Sequence, residues 1–189
     1  MKKIVIFAIA FFAISISANA QSPNKEASKS SAVAFSERDG VCLVKTYYPL
    51  GKVADVEYEI LQLEDVAKKT TMCCLRLKTK SYSSATRDVD EYVGTLDADE
   101  VSAFIQSLVY IKDNLLPTSP TNYTECIYNS KDGVKFGAYY DQKANKWMAF
   151  VYTKSYTTRS AQFFSSDDIE KTIAMMNNAT AKIAELTKK

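Results

Sequence analysis

The sequence predicts an α+β fold: a tandem ββββα repeat, with about eight strands in antiparallel sheets packed by two helices around a pseudo-twofold axis. Three observations lead there. Apolar and polar residues alternate over several short runs, the period of a half-buried strand. Two longer segments open on a capping signal and then repeat apolar residues at helical spacing. Both halves also carry the same tetrapeptide ahead of the helix, Thr79-Lys80-Ser81-Tyr82 and Thr153-Lys154-Ser155-Tyr156.

Residues 1–20 begin with Lys2 and Lys3, continue as an apolar run from Ile4 to about Ile16, and end in Ala18-Asn19-Ala20. That order of charge, apolar core and small residues is the pattern of a secretory signal peptide, so the chain is expected to be exported, to a periplasm or beyond the cell. Residues 21–34 are small, polar and unpatterned and read as a flexible leader. The first repeat is expected over 35–116, a proline-containing linker over 117–122 and the second repeat over 123–189. A unit of roughly 70 residues rarely buries enough apolar surface alone, so the two are expected to share one core.

Strand-like runs occupy 41–48, 53–63 and 70–80, with breaks at Pro49-Leu50-Gly51 and over 64–69. Val56, Tyr58 and Ile60 alternate with Glu57 and Glu59, and Cys73, Leu75 and Leu77 with Arg76 and Lys78, which places one face in a core and the other in water. A more polar run over 89–95 leads into the first helix. Asp97 stands as its N-cap, Glu100 completes a capping box, and Leu96 can staple on Val101. Val101, Phe104, Ile105, Leu108, Ile111 and Leu115 form its apolar stripe, which Pro117 and Pro120 end.

The pattern then begins again. Strands are expected over 123–129 and 134–140, joined by the turn Ser130-Lys131-Asp132-Gly133, then over 147–153 and 160–164. Ser165, Asp168 and the Phe164 to Ile169 pair repeat the earlier helix start, and Ile169, Ile173, Met176, Ile183 and Leu186 form the second stripe. Leu96 lies 14 residues beyond Tyr82 and Phe164 lies 8 beyond Tyr156. A six-residue loop or strand extension in the first copy accounts for the difference.

Composition narrows the function. Twenty-four basic residues face 22 acidic ones, and two of the lysines belong to the signal, so the remainder is balanced and lacks the basic excess of a nucleic-acid binder. Histidine is absent, which removes imidazole zinc sites and the Ser-His and Cys-His nucleophile pairs. No second apolar run approaches the roughly 18 residues of a membrane span, so no integral membrane segment is expected after signal removal. With five glycines and no phosphate-binding loop, no cofactor is expected. Cys42, Cys73, Cys74 and Cys126 would travel an oxidising route and are candidate disulfide partners with three full pairings, although Cys73 and Cys74 are adjacent on a strand and point to opposite faces. No CxxC spacing or histidine suggests a metal.

The chemistry left over is sparse. Glu57 and Glu59 share a strand face roughly 7 Å apart, a spacing compatible with glycosidase-type work, but alternation with apolar neighbours also explains them as a solvated face. The repeated polar and aromatic ends, Lys80, Tyr82 and Arg87 with Lys154, Tyr156 and Arg159, are candidate partner contacts because tyrosine and arginine combine contact area with hydrogen bonding. Tyr123, Tyr128, Tyr139, Tyr140 and Tyr152 either line a recognition face or fill a half-buried one, and Trp147 reads as a core or rim anchor. The expected function is that of an exported, non-catalytic binding protein for a protein, peptide or glycan. The alternatives are a histidine-independent carboxylate hydrolase and an envelope component that self-associates through a sheet edge.

Overall fold

Two antiparallel four-stranded sheets and the helices that cover them make up the α+β structure, a computed structural model that describes residues 29–83 and 87–188. The expected signal peptide and the leader up to residue 28 lie outside the described residues. The first sheet is a meander of β1 (Leu43–Val53), β2 (Val56–Asp65), β3 (Thr70–Ser83) and β4 (Asp88–Asp97). After α2 (Ala98–Tyr110) and a π turn (Ile111–Leu115), the second meander follows as β5 (Glu125–Asn129), β6 (Lys135–Asp141), β7 (Lys146–Tyr152) and β8 (Ala161–Phe164). Helix α3 (Ser166–Thr187) closes the chain. No helix among the described residues is long and apolar enough to cross a membrane.

Alternation fixes which side of each sheet is dry. Val56, Tyr58 and Ile60 of β2 and Cys73, Leu75 and Leu77 of β3 point one way, and Phe136, Ala138, Ala149, Val151 and Phe164 do the same in the second sheet. Both inner faces and both long helices meet in one core. Phe104 of α2 stacks edge-on against Tyr128 of β5 at 5.3 Å and Phe136 of β6 at 5.5 Å, so a helix from the first half is buried on strands of the second.

The expected capping signals organise both long helices. Glu100 accepts from the Asp97 backbone N–H at 3.0 Å, and Asp168 accepts from that of Ser165 at 3.1 Å while the Ser165 hydroxyl accepts from Asp168 N–H. Three local expectations are corrected. Pro49-Leu50-Gly51 does not break a strand: β1 runs through it with a bulge, because an edge-strand proline need not donate to the ladder and Gly51 adopts a φ of 136°. The first apolar stripe is not one α-helix, since its last part, Ile111–Leu115, widens into the π turn. Across the boundary expected between the leader (21–34) and the first repeat, Ser31–Ser36 forms a short helix, α1, whose Ala32 and Phe35 pack with Leu61, Leu63 and Cys74 on the outer face of the first sheet.

Candidate functional site

The repeated tetrapeptides meet at their threonines. Thr79 and Thr153 are both buried, and their hydroxyl oxygens are 2.7 Å apart. Thr79 donates onward to the Ser160 carbonyl at 3.3 Å, so Thr153 must be the donor to Thr79, and the chain of bonds runs from one sheet to the other. Gly94 of β4 makes this closeness possible: a Cβ there would stand 2.4 Å from both the Thr153 carbonyl and Val134 Cγ2.

Beyond the threonines the two strings part. In the first sheet Lys80, Ser81 and Tyr82 continue β3 and pair with Glu91, Asp90 and Val89 of β4; in the second, Lys154 to Tyr156 lie past the end of β7. Lys80 pairs with Glu57 at 3.1 Å, Lys154 with Asp132 at 2.9 Å, and Arg159 reaches to Asp90, the register partner of Ser81, at 2.8 Å. Arg87, the residue immediately before β4, has a φ of 57°. Tyr82 and Tyr156 are left 65% and 79% exposed. Of the six residues singled out, Lys80, Lys154 and Arg159 are therefore engaged in ion pairs that each join two parts of the fold, and the two tyrosines are exposed to water.

Glu57 and Glu59 lie on the outer face of the first sheet in a ladder of alternating charge. Glu59 is bonded by Arg76 at 2.8 Å and Lys78 at 3.1 Å, and Glu57 by Lys80 at 3.1 Å and Lys78 at 3.4 Å. The Lys80 bond, then that of Lys78, holds the Glu57 carboxyl below its ordinary range. A glycosidase acid needs the opposite shift from that of Glu57, and the ion pairs of both carboxylates form a cross-strand ionic lattice. Among the described residues no group of three or more carboxylates or thiols could hold a metal ion.

The four cysteines are free thiols here. Cys73 belongs to the main core and Cys74 to the small cluster under α1, on opposite faces of β3 as adjacency requires. Burial first, with the nearby Asp97 charge adding to it, pushes the Cys74 thiol up to about 12, so it serves as a packing group and not a nucleophile.

The surface that sequence reading did not isolate is the outer face of the second sheet. Tyr139 of β6, Phe150 and Tyr152 of β7 and Phe163 of β8 share it by register, with Tyr123 and Glu125 at its β5 edge. Phe150 lies over Gly137, where a Cβ would come within 2.9 Å of its ring, while Phe163 and Tyr123 are 55% and 62% exposed. Tyr128 and Tyr140, grouped with these tyrosines in the sequence, fall on the opposite side by register, and Trp147 is an anchor, bonded to the Thr118 carbonyl at 2.9 Å beside Tyr140. Both faces of β6 and β7 are apolar, so alternation was silent about which side had a cover. The available signal was parity: Tyr139, Phe150, Tyr152 and Phe163 fall on one set of register partners and Tyr140 on the other.

No protein-family model, curated protein or solved structure matches the chain.

Proposed function

We propose that the protein is an exported, non-catalytic binding module whose recognition surface is the outer face of β5 to β8. The observation that carries this is the contrast between the two outer faces. On the first sheet one half is roofed by α1 and the other is neutralised by the Glu57, Glu59, Arg76, Lys78 and Lys80 lattice. On the second, five aromatic rings stand in a group with no helix of the described residues over them. Exposed apolar patches of this kind on a soluble domain mark interaction sites.

The same comparison supports a tandem origin, in which two ββββα units are related by a pseudo-twofold axis. Each unit has four strands and then a capped helix, and the equivalent threonines Thr79 and Thr153 touch each other, as residues next to such an axis must. Divergence then concerns the outer faces, one closed and the other left open.

The test is a nuclear magnetic resonance titration of the purified chain with peptides, disaccharides and organic cations. Binders should shift the amides of Gly137, Phe150 and Phe163, and a Tyr152→Ser/Phe163→Ser variant should lose the response while Tyr82→Ala/Tyr156→Ala keeps it. Binders that map elsewhere, or a concentration-dependent oligomer abolished by the Tyr152→Ser/Phe163→Ser variant, would overturn the proposal, the second outcome in favour of self-association.

A further inference from the structure

The hollow on this face encloses about 330 Å³ and is lined by Tyr123, Glu125, Tyr139, Phe150, Tyr152 and Phe163. That volume sits at the lower end of small-molecule sites, roughly 300–1,000 Å³. Its rings do not form a flat platform. Phe150 is inclined by 43° to Tyr139 at 6.1 Å and by 77° to Tyr152 at 5.3 Å, so the side chains make walls and a floor. A pyranose ring asks for a plane on which to stack, whereas a compact, rounded group rests against the angle that inclined, touching rings form.

Charge points the same way. No lysine or arginine lines the hollow, and its one ionised side chain is Glu125, which is exposed and accepts from the Tyr123 hydroxyl at 2.6 Å. Aromatic faces carry the negative side of the ring quadrupole, and several of them around a carboxylate attract an organic cation whose hydration is weak. A second hollow of about 320 Å³ shares Tyr123 and Tyr139 and adds Asp141, Gln142 and Lys143. A hydroxyl tail on the same molecule would meet Asp141, Gln142 and Lys143 there. Resting on the binding-module reading, we infer that the outer face of the second sheet is an aromatic cage for an alkylated ammonium group, carried on a small molecule or a lipid headgroup.

The experiment compares choline and betaine with dimethylbutanol, the neutral carbon isostere of choline, and with cellobiose, by calorimetry and by the amide shifts of Gly137 and Phe163. Choline or betaine is expected to saturate these shifts, with dimethylbutanol at least about fivefold weaker. Glu125→Gln should weaken the cation by about fivefold and leave the isostere unchanged. Phe163→Leu, which keeps apolar area and loses the ring face, should weaken the cation with no change in melting temperature. Phosphatidylcholine vesicles identify the source: sedimentation with them that free choline reverses assigns a headgroup, and failure to sediment while free choline saturates assigns a soluble ligand. Equal affinity for choline and its isostere, or vesicle capture that choline does not displace, overturns the inference. Saturation by cellobiose or a peptide alone at the same amides ends the cage and keeps the binding face. Shifts on this face from none of them end both.

Discussion

Replacing Asp97 by asparagine keeps the size of the side chain and removes its charge, which isolates what that charge holds. The buried carboxylate accepts from the Ser30 hydroxyl at 2.6 Å, from Ser31 N–H at 2.7 Å and from Ala32 N–H at 3.0 Å, with the Lys131 ammonium at 3.5 Å. One residue thus begins α2 and fastens α1. Asp97→Asn is expected to destabilise the fold by about 1–3 kcal/mol, read from the urea midpoint. Burial by itself would raise the Asp97 pKa; the bonds from Ser30, Ala32 and Ser31 and the Lys131 charge more than reverse that, leaving it below the ordinary 3.8. A depressed folded value means that the unfolded chain takes up the proton first. The stabilisation is therefore complete above the unfolded pKa and is lost as the pH falls through the folded one. The difference in stability between Asp97 and its asparagine variant should stay flat from about pH 7 to 5 and shrink below about pH 4. Asp97 was legible as a cap because its spacing to Glu100 is local. Its grip on Ser30 spans 67 residues, and no window of sequence contains it.

At the scale of elements, the joint between the two sheets makes a thermodynamic cycle possible. Thr79→Val strands the Thr153 hydroxyl and the Ser160 carbonyl in a dry place, and Thr153→Val leaves Thr79 short of a donor. Each single change is expected to cost about 1–3 kcal/mol, and the double change less than their sum, because it removes both partners together. Strict additivity in chemical denaturation would show that the threonines act separately. Strand and helix positions were largely readable, since periodicity and capping boxes are properties of neighbouring residues. Two exceptions depend on distant partners. Helix α1 has six residues, too few to form without the Asp97 carboxylate and the Leu61, Leu63 and Cys74 surface beneath it. The tetrapeptide shared by the two halves is strand in one and loop in the other, because Lys80 to Tyr82 have β4 beside them and Lys154 to Tyr156 lie beyond the end of β7.

For the whole molecule, the main core is drawn from both sheets and both long helices, and only the small cluster under α1 lies within one half. Heat should unfold the chain in one transition with equal calorimetric and van't Hoff enthalpies, and a fragment covering 123–188 should show no cooperative melt. Two separable transitions would refute a joint core. Composition, alternation and capping, all read along the chain, determined that this is an α+β protein of antiparallel strands and two long helices, and that histidine chemistry is closed to it. Which outer face stays open was decided only in three dimensions. A strand displays its period without saying what lies against either side, and the roof over the first sheet came from a segment far away in sequence. The tyrosines and phenylalanines of β6 to β8 became a surface because, among the described residues, no such segment crosses them.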